Sequence, residues 1–253
     1  MEFGNGREHK FLIDRQAARQ MLQAARAHLE VEVYDPERPI AYARTIYLDA
    51  PDGRYLRSSE RRARLRLRLR QYASAPDLVE PPIISSATWL ELKRTAGVER
   101  HKVRIAMSAE HAIELASGRL PQAIAGQLAA EHRFAVVCQE LQSGLLAPAA
   151  TTWYRRLSLV GDGVRVTFDE AIAFCPPSHP VPPGELAEPS GTLARERRTI
   201  VELKTVGPIP SALAGAVARL PPAPEYSKFH AAMACVTPAR LRRDGTLPLP
   251  VLS

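Results

Sequence analysis

The sequence predicts an α+β domain dominated by an antiparallel sheet. Strand-like segments recur with strict alternation, most clearly Arg64-Leu-Arg66-Leu-Arg68-Leu-Arg70-Gln-Tyr72 and Trp89-Leu-Glu91-Leu-Lys93. Only a few stretches carry helical periodicity. No repeat of solenoid length and no sharp change of composition divides the 253 residues. Residues i and i+2 of a strand share a face. Arg64, Arg66, Arg68 and Arg70 therefore line one side of their strand and the leucines the other.

A short strand over 8–13 opens the order of elements. Asp14 suits an N-cap, ahead of an amphipathic helix over 15–30 in which Ala17, Ala18, Met21, Leu22, Ala25 and Leu29 recur at helical spacing. A strand over 41–49 ends at Pro51-Asp52-Gly53. The arginine strand spans 62–72, and Pro76, Pro81 and Pro82 make 73–87 a loop. Strands over 88–94 and 99–106 form a hairpin at Ala96-Gly97. Ser108 caps a helix over 109–117 with Gly118 past its end, and a second helix covers 122–132. Strands follow over 133–140, 152–160 and 164–172, the last two joined by Gly161-Asp162-Gly163. Prolines make 175–194 a mobile loop. A strand over 197–205 and a helix over 211–220, capped by Ser211, complete the domain. The domain is assigned to 1–237, and 238–253 reads as an irregular C-terminal tail.

With 45% apolar and 24% charged residues, the chain can bury a sizeable core. A net charge of +7 points to an anionic partner: nucleic acid, a phosphorylated metabolite or an acidic membrane surface. Sheets that read RNA carry stacking aromatics on the ligand face. Aromatics are 6% here and do not interleave with the arginines, which argues against nucleic acid. No apolar run approaches the ~20 residues of a spanning helix, and no signal-like stretch opens the chain, so the expected location is cytoplasmic. Cys138, Cys175 and Cys235 are odd in number and widely spaced, the pattern of reduced, packed thiols.

Charged faces recur across the strands. Glu8 and Lys10, Glu91 and Lys93, and Glu202 and Lys204 each share a face, as do Arg100, Lys102 and Arg104, then Tyr154 and Arg156, then Arg165, Thr167 and Asp169. An open sheet with a wet charged side explains this pattern. A closed barrel with its charges inward is the alternative, and would enclose about ten cations against four acids. Two like charges ~6 Å apart repel by roughly 3 kcal/mol at an effective dielectric near 20. Several such pairs exceed a domain's stability margin, so such a barrel must stay hydrated or bind a polyanion. Arginine forks and lysine point charges suit a string of phosphates, and the interleaved carboxylates suit a divalent metal on the phosphate oxygens.

An ordered set of motifs carries a family resemblance. It runs Glu8-x-Lys10, Tyr47-Leu-Asp49-x-Pro51-Asp52, Arg68-x-Arg70-x-Tyr72, Glu91-x-Lys93, Lys102, Tyr154-x-Arg156, Arg165-Val-Thr-Phe-Asp169, Glu202-x-Lys204 and Ser227-Lys228-Phe229. The set resembles the catalytic domain of the vacuolar transporter chaperone polyphosphate polymerases, within the triphosphate tunnel metalloenzymes that include the CYTH proteins. The resemblance implies an eight-stranded antiparallel β-barrel, the triphosphate tunnel, with helices packed on the outside. It implies ATP and inorganic polyphosphate as partners, Mn2+ or Mg2+ as cofactor, and transfer of the ATP γ-phosphate to a growing chain. Arg68, Arg70, Lys93, Lys102 and Lys228 become the catalytic cations. Lys10, Arg66, Tyr154, Arg156, Arg165, Lys204 and Ser227 become substrate contacts, and Glu202 the metal ligand.

Other readings stay open beside these. Glu202 could pair with Lys204 or an arginine, Lys228 and Ser227 could lie on a surface loop, and Glu91 and Asp169 could orient cations or be structural. A triphosphatase of the same fold, or a module that binds polyphosphate or nucleotide without turnover, is the alternative function. Hydrolytic CYTH proteins open with Glu-x-Glu-x-Lys, and here Gly6 stands in place of the first glutamate. The family's phosphate-sensing SPX part and membrane segment have no counterpart in this sequence. A partner for translocation would be a separately encoded membrane protein.

Overall fold

Alternation in β4 (Ala63–Ala75) sorts its side chains as expected: Leu67 and Leu69 are fully buried on one face while Arg66, Arg68 and Arg70 turn to the other. The computed structural model describes residues 7–58, 63–96, 99–130, 135–161 and 163–243. Eight strands follow one another in an antiparallel path. They are β1 (Arg7–Ile13), β11 (Thr199–Thr205), β9 (Val164–Cys175), β8 (Ala147–Gly161), β3 (Ile40–Asp49), β4, β6 (Thr88–Ala96) and β7 (Glu99–Met107). Three short strands attach beside it: β2 (Glu30–Val31) to β8, β5 (Ile83–Ile84) to β4, and β10 (Ala194–Glu196) to β9.

The expected closed barrel is corrected here. Among the described residues β1 and β7 remain the two ends of the path, with no ladder joining them. Lys93 of β6 feels both charges of β1, the attraction of Glu8 more strongly than the repulsion of Lys10.

Helices cover the outer face in two groups. α3 (Ala109–Ala116), α4 (Gln122–Ala129) and α5 (Ala135–Gln142) pack on Ile46, Leu67, Leu69, Leu90 and Leu92. α1 (Arg15–Arg26) and α6 (Ser211–Val217) pack on Leu159, Val166, Phe168 and Leu203. Asp14 caps α1 by accepting from the Ala17 amide at 2.8 Å, and Gly118 takes φ +86° just past α3. Asp49 accepts from the amides of Tyr55 and Leu56 at 3.0 and 3.1 Å, so it caps the short α2 (Arg54–Ser58) and stays out of the site.

Several expectations change. Residues 135–142 are helical, because Val137, Cys138 and Leu141 reach the core at helical spacing despite the two adjacent valines. The cap of α6 is Pro210, and Ser211 is already its first helical residue. α7 (Lys228–Arg243), absent from the sequence reading, runs through Pro238 into the expected irregular tail. It also departs from the rule of outside helices: Phe229, Ala232, Met233 and Val236 pack against Tyr47, Tyr154, Ile172 and Phe174 on the cavity side of the sheet. The proline-rich stretch after β9 is pinned. Arg44 donates to Ser178 Oγ at 2.8 Å and to the His179 carbonyl at 2.7 Å, and Gln71 donates to the Val181 carbonyl at 2.6 Å.

A bulge separates two regimes of β9. Trp153 pairs with Ala173 and Arg155 with Glu170, so two residues of β9 oppose Tyr154 alone. Ala171 takes up the extra residue with φ +51°, in the left-handed region.

Candidate active site

The inward side chains of all eight path strands meet in a cavity of about 300 Å³. Every residue assigned to the site from the sequence lines it: Lys10 from β1, Arg66, Arg68 and Arg70 from β4, Lys93 from β6, Lys102 from β7, Tyr154 and Arg156 from β8, Arg165 from β9, Glu202 and Lys204 from β11, and Ser227 and Lys228 at the start of α7. Glu8, Tyr47, Tyr72, Glu91, Arg104 and Phe229 complete the wall. Arg104 and Tyr72 were legible as the next same-face positions after Lys102 and Arg70. The Arg64 and Arg100 side chains, and Gly6, lie outside the described residues.

Two buried carboxylates organise the cations. Glu91 Oε2 holds Arg68 at 2.6 Å, and its Oε1 holds Lys102 at 3.2 Å and Arg104 at 3.4 Å. Burial alone would raise the Glu91 pKa, but Arg68, Arg70 and Lys102 outweigh it and hold the carboxyl at about 2. Asp169, fully buried, receives Arg156 at 2.6 and 2.7 Å and Lys228 at 2.6 Å. The same balance, burial against Arg156 and Lys228, keeps Asp169 below its ordinary pKa. Of the two roles left open for these acids, the geometry supports the orienting of cations.

Aromatic rings fix more of the wall. The Tyr154 ring lies 5.3 Å from the Arg70 guanidinium, 5.3 Å from that of Arg156 and 4.7 Å from Lys228 Nζ, within cation–π range. Arg70 is 3% exposed, and its Nε and Nη2 have no acceptor. Thr167 Oγ1 is likewise buried without a partner. Buried donors left unpaired are costly, and a cavity wall carrying the two unpaired Arg70 nitrogens suits an anion.

Glu202 does not pair with Lys204. Its nearest cation is Lys10 at 3.6 Å, while Lys204 faces Glu8 at 3.8 Å. Burial opposes ionisation of Glu202, yet Lys228, Lys10 and Arg156 hold its pKa well below the usual carboxylate range. Ser227 is buried and Lys228 partly buried at the start of α7 and not on a surface loop, with Ser227 Oγ accepting from the His230 amide at 3.5 Å.

Among the described residues no group of three or more His, Cys, Asp or Glu stands together. A metal held by side chains alone does not fit. A divalent ion held by ionised Glu202 together with ligand phosphate oxygens and water does, since magnesium sites commonly take one or two carboxylates and complete their shell this way.

An antiparallel sheet whose inner face is a cation-lined, acid-braced cavity has the chemistry that suits a polyanion. Residues 5–237 match the model of the VTC domain, and the chain belongs to that family. No curated protein matches it. A solved Bacillus halodurans protein, named provisionally as an adenylate cyclase, is similar at 11% identity and a TM-score of 0.48, covering 97% of this chain and 92% of that one. A Pyrococcus horikoshii OT3 protein is similar at 11% identity and 0.45, covering 90% and 98% of the two chains. A second protein of that organism gives 9% and 0.41, covering 91% and 99%. No helix among the described residues is long and apolar enough to cross a membrane.

Proposed function

We propose that the chain is a polyphosphate polymerase, transferring the γ-phosphoryl group of ATP to the end of a growing inorganic polyphosphate chain. One observation supports this above the rest: within a VTC domain, eleven Lys and Arg side chains face three Glu in one cavity. Phosphoryl transfer asks the protein for positioning and charge. Arg68, Arg70, Lys93 and Lys102 would grip the triphosphate, and Arg156 and Lys228 the adjoining phosphates. Their fixed positions, braced by Glu91 and Asp169, need no reorganisation as charge shifts to the bridging oxygen. A terminal oxygen of the acceptor attacks the γ-phosphorus, the bond to the β–γ bridging oxygen breaks, and ADP leaves. Glu202 would hold Mn2+ or Mg2+, which would offset charge on the transferring group.

Incubating the purified chain with ATP and manganese, and assaying both ADP and long-chain polyphosphate, tests the reading. Both products are expected, and both should vanish in Glu202→Ala. ADP and phosphate without polymer would replace the polymerase by a triphosphatase. Tight tripolyphosphate binding with no turnover under either metal would leave a binding module.

A further inference from the structure

Away from the cavity, the outer surface sorts its charge by segment. Residues 76–90 and 176–194 contain no Lys or Arg, although the chain carries a net charge of +7. Residues 15–29 and 206–220 contain no Asp or Glu. Each pair of segments meets in space. The Gly184 amide donates to the Ile84 carbonyl at 2.8 Å and the Ala187 amide to the Pro82 carbonyl at 3.0 Å, while α1 packs beside α6.

The acidic pair presents an apolar tip. Val79 is 90% exposed, Leu186 64% and Leu78 62%. Asp77, Glu80, Glu185 and Glu188 flank them in sequence. The tip is held in shape from within: Asp77 Oδ1 accepts from the Val79 and Glu80 amides at 2.7 and 2.8 Å, and Leu186 bridges to Ile83. That frame is complete without the apolar side chains, which are left in water at a hydrophobic cost. Clustered exposure of this kind marks a contact surface. The flanking acids oppose docking on an anionic membrane and suit a basic protein surface.

The cationic pair supplies such a surface. Between α1 and α6 runs a shallow groove of about 580 Å³, floored by Ala24 and Ala27 and walled by Gln20, Gln23 and Arg219. Arg19 and Arg26 lie four residues before Gln23 and three after it, so they stand beside it on the helix. Arg19, Arg26 and Arg219 are exposed, and none of them pairs with another described residue. No hydrogen bond or ion pair joins tip to groove within one copy among the described residues.

We propose that the tip of one copy docks in the α1–α6 groove of a second copy of this chain. Leu78 and Val79 would cover the two alanines, and Glu80 and Glu185 would face the three arginines. The contact would form whatever the cavity binds. It is head to tail, because tip and groove are different patches of the same molecule, and each pairing leaves one tip and one groove free.

Sedimentation velocity on the full chain in low-salt buffer, from micromolar to millimolar concentration, tests the pairing. The average mass should climb with concentration from the 27.9 kDa of one copy. Leu78→Ser with Val79→Ser removes the apolar tip, and Gln23→Glu with Arg219→Glu turns the groove acidic. All four positions are exposed, so both double variants should keep the native circular dichroism. Each alone should weaken association by about tenfold or more. Mixed in equal amounts, the intact groove of the first and the intact tip of the second still match, so a dimer should return and nothing larger. A native chain that stays at one copy throughout overturns the pairing and leaves the tip to a basic surface on a different protein. Association that survives in either variant, or a mixture in which no dimer returns, overturns the head-to-tail contact.

Discussion

Asp169 grips Arg156 with both carboxylate oxygens, Oδ1 2.6 Å from Nε and Oδ2 2.7 Å from Nη2, while Oδ2 also receives Lys228 at 2.6 Å. One acid with no exposed surface thus fixes cations from β8 and α7. Asp169→Asn removes the charge and leaves both cations without it. Breaking a buried pair in this way costs about 3–5 kcal/mol, and the lower end is expected because Arg156 and Lys228 keep some exposure. Denaturant unfolding should show the loss, and saturating tripolyphosphate should recover part of it by replacing the missing anion. An unchanged midpoint would mean that Asp169 braces nothing.

Lys93 carries a different signature. Burial strips its ammonium of water, and Arg68, Arg66 and Lys10 add repulsion against the pull of Glu8, so its pKa falls from 10.5 to about 8. The unfolded chain therefore keeps this proton at pH values where the fold has released it. Stability contributed by Lys93 rises with pH between these two values. Anion binding runs the other way, because phosphate draws on the charged form. Calorimetric titration with tripolyphosphate should show affinity declining as pH climbs through about 8. Lys93→Arg, charged throughout, should flatten the profile. A decline that persists in that variant would belong to another group.

Arg44 is the buried cation that the site does not use. It lies on the outer face, with Gln71 Oε1 at 2.5 Å, Ser178 Oγ at 2.8 Å and the His179 carbonyl at 2.7 Å, and the Trp153 ring 5.7 Å away. No carboxylate balances it in any ion pair among the described residues, and burial lowers its pKa to about 10. Arg44→Gln should cost on the order of 2 kcal/mol through unmade hydrogen bonds and expose the 176–193 stretch to limited proteolysis. Tripolyphosphate affinity should stay as it was. Protection of that stretch in the variant would show that it is held by something other than Arg44.

Much of the site was legible because a strand's period of two is local. Arg66, Arg68 and Arg70, or Glu202 and Lys204, could be assigned to one face without knowing what lay opposite. What the sequence hides is non-local. Nothing near Pro180 announces that Arg44, more than a hundred residues earlier, will pin the loop after β9. Whether β1 pairs with β7 depends on how the whole path of strands curves, which no single segment reveals. Two misses were local in origin. Val136 and Val137 favour a strand by propensity, and the packing of Val137 and Leu141 overrides it. In α7 the spacing of Phe229, Ala232, Met233 and Val236 was readable, but the proline at 238 drew attention to a chain end.

The bulge opposite Tyr154 makes one strand serve two solvents. Before it, Arg165 lines the cavity and Asp169 meets the cations of Arg156 and Lys228, while Val166 and Phe168 face oil-like packing. After it the parity is reversed, and Ile172 and Phe174 turn inward against α7. A single surplus amino acid at Ala171 thus divides the interior into a hydrated half and a dry half. Removing it would put every residue beyond that point into the wrong medium.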